Sequence, residues 1–194
     1  MKLRIEHESA KAVSYNGYKA SAAQSHTSLV LDVTMKLQTL SRWCWAAIAA
    51  AVGQFYQTGD WQQSDIATEL LGFDCADAEN DPDLQTRCNI NRRLDEALKI
   101  TKSYSHWSLG KPLFERIQLE LEAGHPLCAR IEWYNGGSHY VIVIGYDVCT
   151  QDIYIADPQV GLSKHNFASF PRSYGISGGV WTETYWTTAE RLSN

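Results

Sequence analysis

The chain has 194 residues, of which 44% are hydrophobic and 20% are charged, a composition typical of a globular protein with a sizeable core. Its 17 basic and 22 acidic residues give a net charge of −5, and no run of lysine or arginine is long enough for a nucleic-acid or anionic-membrane surface. No segment reaches about 18 consecutive apolar residues, the length that a membrane span needs. These features argue against nucleic-acid and membrane partners.

The N-terminus lacks the apolar core of a Sec-type signal peptide. We therefore expect the protein to stay in the cytoplasm, or to be exported into a host or target cell by a secretion system that reads no such signal. We also expect it to be a monomer. The five cysteines are an odd number, so at least one thiol remains unpaired.

The first half of the chain is dominated by helical patterns. Residues 1–27 are polar and aperiodic, which predicts a loosely ordered arm ahead of a single domain over 28–194. The stretch SLVLDVTMKLQ, residues 28–38, alternates as a strand does. Apolar residues at helical spacing then predict four helices, separated in the middle by a long acidic loop over 72–89. These helices cover 41–56, 62–71, NRRLDEALKI and KPLFERIQLELEAG.

The second half contains short runs rich in β-branched and aromatic residues, with Gly, Asn, Pro and Asp between them. Helices followed by strands predict an α+β fold, with a helical lobe over about 38–124 and a sheet lobe over about 125–190. The runs that predict the strands are PLCARIEW, SHYVIVIGYD, DIYIADP and GGVWTETYW.

Cys44 is the first candidate for a reactive side chain in this sequence. It lies in the first turn of the helix predicted over 41–56, where unpaired N–H groups and the positive end of the helix dipole favour a thiolate. Six residues upstream, Gln38 offers a neutral amide donor. Taken alone, Cys44 would be read as a small core residue, because free cysteines are usually buried.

His139 and Asp157 come from two consecutive predicted strands. His139 follows the pair Gly136 and Gly137, which we expect to bend the backbone and leave room for substrate. If the two strands form a hairpin around the turn between them, Asp157 lies opposite Val141 and diagonal to His139, on the same face. A slip of one residue would put the two side chains on opposite faces.

Together, four side chains provide what a reactive thiol requires. A thiol nucleophile needs a base, a group that orients that base, and donors for the oxyanion that forms. Cys44, His139, Asp157 and Gln38 supply these roles in order.

The spacing of Gln38 before Cys44-Trp45-Ala46 resembles that of the papain-type cysteine peptidases. Two later motifs, His139-Tyr-Val-Ile-Val-Ile-Gly-Tyr and Ala156-Asp157-Pro158, are similar to those of the bacterial papain-like proteases. They are less similar to plant papain, whose third catalytic residue is an asparagine and not an aspartate. The bacterial group comprises the effector proteases of plant pathogens and, more distantly, the leader peptidases that process bacteriocins. The effector-type likeness covers roughly residues 36–186. It continues through Cys75…Cys88-Asn89, LEAGHP, IEWYNGGSH and WTETY.

The resemblance implies a papain-like two-lobed fold with the active site in the cleft between the lobes. It implies that Cys44 is the nucleophile, His139 the base and Asp157 its orienter, with Gln38 and the Cys44 N–H as the oxyanion hole. The substrate would be a protein or peptide, with no metal or organic cofactor. Because few residues precede Gln38, we also expect no large inhibitory prosegment.

Two other functions use the same residues. A transglutaminase-like acyl transferase or deamidase also relies on Cys, His and Asp, and an inactive papain fold would act as a binding module. The Gln38 spacing and the long separation of Cys44 from His139 favour the peptidase.

The remaining cysteines allow more than one interpretation. Cys75 and Cys88 form a disulfide in an oxidising compartment and stay thiols in a reducing one. A zinc site built from Cys75, Cys88, His125 and Cys128 is disfavoured because no close C-x-x-C pair exists. The acidic loop over 74–83 lacks the spacing and glycine of a calcium-binding EF-hand loop.

Overall fold

The computed structural model describes residues 27–189, so nearly all of the arm predicted over 1–27 lies outside the described residues. Within this range the chain folds as α+β, as the sequence predicted. The strands are β1 (Ser28–Val30), β2 (Tyr104–Leu109), β3 (Leu127–Trp133), β4 (Ser138–Asp147), β5 (Asp152–Asp157), β6 (Gly161–Asn166) and β7 (Gly179–Thr187). The helices are α1 (Cys44–Phe55), α2 (Gln63–Leu71), α3 (Pro82–Cys88), α4 (Leu94–Ile100) and α5 (Phe114–Glu122).

The strands form one antiparallel sheet in the order β2-β7-β3-β4-β5-β6, and β1 pairs with the far end of β4. At that end, β4 bends at an irregularity between Val143 and Gly145. A side chain on Gly145 would lie 2.5 Å from the Leu29 carbonyl oxygen, so only glycine lets β1 approach this closely. None of the described helices is long and apolar enough to cross a membrane.

Strand β4 is buried on both faces, which explains why VIVI runs without polar interruption. Tyr140, Ile142 and Ile144 belong to the core that contains α1, α2 and α4, whereas Val141 and Val143 belong to the core that contains α5. The sheet therefore separates two hydrophobic layers, and β4 is shared by both.

Helix α1 is the centre of the helical layer, and ten of its residues are buried. Its alanines allow close approach of α2 and α4, the two helices that pack against it. The helix begins at Cys44 and not directly after Ser41, because residues 41 and 42 form a turn and Trp43 occupies the cap position without a side-chain hydrogen bond to the first turn of the helix.

Several elements differ from the sequence predictions. The strand expected over 28–38 is limited to β1. The acidic loop contains α3, which Asp81 caps by accepting from the N–H groups of Asp83 and Leu84. Strand β2 joins the sheet beside β7, and α5 packs on the sheet face opposite α1, so both lie outside the helical layer although they precede residue 124.

Cys75 and Cys88 are joined in a disulfide within the helical layer, and both residues are fully buried. Cys44 and Cys128 are buried free thiols, and Cys149 is an exposed one. Over residues 27–189, no group of three or more His, Cys, Asp or Glu side chains is arranged to hold a metal ion.

We predict that the double variant Cys75→Ser/Cys88→Ser lowers the free energy of unfolding by about 3 kcal/mol, since the bond closes a short loop in the unfolded chain. Urea unfolding followed by tryptophan fluorescence measures this change. Cys149→Ser, at an exposed thiol, is the control and should unfold with the wild type. An unchanged midpoint in the double variant would show that the disulfide adds nothing to stability.

Candidate active site

Cys44 is the first residue of α1 and only 7% exposed. The tryptophans on either side hold it in place through their indole N–H groups. Trp43 donates to the Cys88 carbonyl at 2.8 Å, and Trp45 donates to the Ile90 carbonyl at 3.0 Å. Both indoles are thereby bound to the chain segment that follows the disulfide.

Asn89 completes this attachment. Its Oδ1 accepts from the Arg42 N–H at 2.8 Å, and its Nδ2 donates to the Ser41 hydroxyl at 2.9 Å. We name residues 88–90 the positioning segment, because they make four hydrogen bonds to residues 41–45 around Cys44. The sequence resemblance contained Cys88-Asn89 but did not predict this contact.

His139 and Asp157 meet in the sheet as the hairpin register requires. The predicted register is confirmed by the pairing of Ile142 with Ala156, which places Asp157 opposite Val141. The irregularity in β4 lies beyond this point and does not disturb it. The His139 Nε2 and the Asp157 Oδ1 are 2.9 Å apart in a buried hydrogen bond.

Asp157 receives two further donors that the sequence analysis did not find. The Gln159 N–H donates to Oδ1 at 2.6 Å, and the Tyr174 hydroxyl donates to Oδ2. Tyr174 lies in an irregular segment after β6, so no strand or helix pattern connects it with Asp157. Its hydroxyl fixes the carboxylate oxygen that faces away from His139.

Trp133 covers the histidine. Its ring stacks on His139 with centroids 6.1 Å apart and planes 20° apart, and it also contacts Tyr174. Trp133 is therefore the tryptophan that shields His139. Trp186 instead stacks on His106, and Trp181 donates to Thr184.

Cys44 and His139 are brought together across the two layers, close enough for Cys44 to raise the pKa of His139. Burial lowers the pKa of His139, but the hydrogen bonds and charges of Asp157 and Cys44 outweigh it and raise this pKa to about 9. For Asp157, burial raises the pKa and the bond to His139 lowers it, with a lowered pKa as the net result. Since Nε2 donates to Asp157, the ring nitrogen left for the thiol is Nδ1.

Gln38 connects the two halves of the site. Its backbone N–H donates to the Pro158 carbonyl at 2.7 Å, directly after Asp157. Its Nε2 donates to the carbonyls of Leu40 at 3.0 Å and Ser41 at 2.8 Å. Its Oε1 is buried and has no hydrogen-bond partner among the described residues. The side-chain amide thus lies against the turn that leads to Cys44.

Gly136 and Gly137 form the turn between β3 and β4, two positions before His139. Both have left-handed backbone conformations, with φ of 95° and 83°, and both are exposed. A non-glycine residue would be strained at either position. The turn leaves the start of β4 open to solvent.

A cleft of about 650 Å³ opens beside Cys44 and is lined by both layers. Trp45, Asn91 and Arg92 belong to the helical side, and Tyr140 and Glu183 to the sheet. A smaller cavity of about 240 Å³ lies behind α1, and neither Cys44 nor His139 lines it. The larger cleft is therefore the one that a molecule bound at Cys44 would occupy.

A cysteine at a helix start, close to a His–Asp pair on an antiparallel sheet, is the arrangement of a cysteine peptidase. A family model described as the Peptidase_C39 like family matches residues 30–182, most of the chain. The chain therefore belongs to this family of cysteine peptidases.

Solved structures with a similar fold have low sequence identity to this chain. A double glycine motif protease from an AMS/PCAT transporter, solved with the leader peptide, is 17% identical, with a TM-score of 0.49 over 82% of this chain and 94% of that one. Xylellain, a cysteine protease from Xylella fastidiosa, is 14% identical, with a TM-score of 0.45 over 92% and 91%. The Pseudomonas avirulence protein AvrPphB is 8% identical, with a TM-score of 0.37 over 80% and 97%. No curated protein sequence matches the chain.

We predict that the His139 ring titrates near pH 9 in an NMR titration. Because this pKa is raised above its ordinary value of 6.5, proton binding by His139 stabilises the fold fully below about pH 6.5, and this contribution is lost as the pH rises through about 9. In the Asp157→Asn variant, the His139 ring should titrate at a lower pH than in the wild type, since the carboxylate charge is gone. His165 is the internal control, because burial lowers its pKa. A His139 titration near 6.5 in the wild type would contradict the hydrogen-bonded arrangement.

Proposed function

We propose that this peptidase is an endopeptidase that hydrolyses peptide bonds of protein or peptide substrates, with Cys44 as its nucleophile. The observation that supports this proposal is the position of His139, which is bonded to Asp157 through one ring nitrogen and lies close enough to Cys44 for the thiol to raise its pKa. A base held between a thiol and a carboxylate, beside an open cleft, is the arrangement that acyl transfer from a peptide needs.

The reaction proceeds in two stages. The raised pKa of His139 lets the ring hold the thiol proton as an imidazolium before the attack. The Cys44 sulfur then attacks the substrate carbonyl carbon as a thiolate, and the carbonyl electrons move onto its oxygen. When the oxyanion collapses, the C–N bond breaks and His139 gives its proton to the leaving amine, which leaves a thioester on Cys44. Water then loses a proton to His139 and attacks the thioester, which releases the acid and restores the thiol.

Asp157 acts through His139. Its Oδ1 holds the Nε2–H, so the ring presents Nδ1 to the thiol, and its negative charge stabilises the imidazolium that forms during both stages. Trp133, stacked on the ring, keeps water from competing for this bond. Asp157 and Trp133 are in this sense positioning residues.

The oxyanion would form near the start of α1. As the first residue of that helix, Cys44 has a backbone N–H with no partner inside the helix. We assign Gln38 Nε2 as the second donor, with the oxyanion replacing one of the two carbonyls that it now contacts. The exposed Gly136 and Gly137 let the substrate backbone pass close to His139.

Labelling with the epoxide inhibitor of papain-like enzymes tests the nucleophile. We expect a mass adduct on Cys44 and cleavage of a denatured protein substrate, both lost in Cys44→Ala. The matched control is Cys149→Ser, which removes an exposed thiol and should leave both signals intact.

Other outcomes separate the alternatives. Ammonia release from glutamine peptides without cleavage would replace the peptidase by a deamidase. A folded protein whose Cys44 does not react would indicate a binding module and would overturn both enzymatic functions.

We predict that Gln38→Ala lowers kcat by about 10²–10³-fold, the effect typical of losing one oxyanion donor. Alkylation of Cys44 by iodoacetamide builds no oxyanion, so its rate should change less than about threefold. Measuring both rates on the same variant separates the two possible roles of Gln38. If alkylation and cleavage fall together, Gln38 only supports the turn before Cys44.

A further inference from the structure

The cleft beside Cys44 has a polar wall on the sheet side that the reaction itself does not use. This wall comes from three neighbouring strands, because Arg130 on β3 pairs with Tyr140 on β4 and with Glu183 on β7. Tyr185, two residues after Glu183, lies on the same face of β7. All four side chains line the cleft.

Two tyrosines on this wall lie beside a carboxylate. The Tyr185 hydroxyl donates to Glu183, and the ring of Tyr140 lies edge-on to that of Tyr185, with centroids 5.7 Å apart. Tyr185 is fully buried, so water does not compete for its bond to Glu183.

The carboxylate sets the direction of this bond. An ionised carboxylate only accepts, so the single hydroxyl hydrogen of Tyr185 is used on Glu183. The remaining lone pairs of Glu183 and those of the Tyr140 hydroxyl oxygen can accept from a donor on a molecule in the cleft.

The charges on the sheet wall also favour a ligand that donates hydrogen bonds. The guanidinium of Arg130 binds Glu132 and the Thr182 hydroxyl. One cation therefore stands beside two carboxylates, Glu132 and Glu183. A carboxylate has about four lone-pair sites, so Glu183 keeps acceptor capacity beyond its bond from Tyr185.

The helical side of the cleft faces this wall and carries positive charge, but its charged groups lie closer to solvent. Arg93 is held by Asp95 at 2.9 Å, and Arg92 is exposed. Glu96 also lines this side and offsets part of their charge. Arg92 and Arg93 are exposed, so their charges are screened by water and salt, whereas Arg130 and Glu183 are half-buried and screened less, so the sheet wall decides what binds deep in the cleft.

We propose that this cleft takes a basic side chain of the substrate, arginine or lysine, recognised by the Tyr140 hydroxyl oxygen and the Glu183 carboxylate. The inference rests on the proposed function, because the cleft governs specificity only if Cys44 is the nucleophile. Guanidinium and ammonium groups donate and never accept, which matches what both residues offer.

The test uses pairs of epoxide-bearing peptides that differ by one residue, arginine in one and its neutral isostere citrulline in the other. The pair is made with this residue at each of the three positions next to the epoxide. The readout is the rate of Cys44 labelling by mass. At one position, arginine should label about tenfold faster than citrulline in the wild type, as expected for a hydrogen bond to a charged group.

Glu183→Gln should bring this ratio close to one. The glutamine carbonyl still accepts from Tyr185, so this hydrogen bond stays intact and only the charge is lost. Glu115→Gln is the matched control, since it makes the same change at an exposed site on α5, outside the cleft, and should keep the wild-type ratio. Thermal unfolding of both variants verifies that they are folded.

The outcomes distinguish this inference from the proposed function. Labelling of Cys44 with equal rates at all positions, or faster labelling by a glutamate peptide, overturns the basic specificity and leaves the nucleophile in place. A preference for arginine that survives Glu183→Gln also overturns it. Failure of every peptide to label Cys44 in folded protein overturns the proposed function and this inference with it.

Discussion

The buried hydrogen bond between His139 and Asp157 is the interaction on which the rest of the site depends. Loss of water disfavours both charged forms, so the pair persists as an ion pair only because each partner has other support. Asp157 accepts from His139, from the Gln159 N–H and from Tyr174, while Trp133 covers the imidazole. The same burial strengthens each of these bonds, because little water is present to screen them. The sheet register holds the two strands in the one alignment that permits this arrangement.

Neighbouring residues of strand β4 have different roles in the site. Successive side chains of a strand point to opposite faces, so His139 shares the face of Val141 and Val143 while Tyr140 faces the helical layer. His139 lies near the thiol at the open end of the strand, and Tyr140 forms part of the cleft wall. The base and a wall of the cleft are therefore held by one rigid element, and their relative position does not depend on a loop.

The nucleophile is held differently, because the start of α1 has no side-chain cap. The positioning segment provides the missing constraint through Asn89 and the two indole bonds, and the Cys75–Cys88 disulfide fixes one end of that segment. The protein thus combines a thiol that must stay reduced to react with a disulfide that supports it. The two sulfur sites are kept apart by burial, since Cys75 and Cys88 are inaccessible to solvent and Cys44 lines the cleft.

The sequence by itself determined the α+β class, the helix behind Cys44 and the hairpin register that brings Asp157 to His139. These depend on hydrophobic period, turn residues and strand alternation, which are local properties. It missed β2 and the role of Tyr174, because an edge strand and an irregular segment carry little pattern. Only the tertiary structure decided that Trp133 covers His139, that residues 88–90 hold Cys44, and that Gln38 contacts backbone carbonyls. Each of these joins residues far apart along the chain through packing that no short-range pattern encodes.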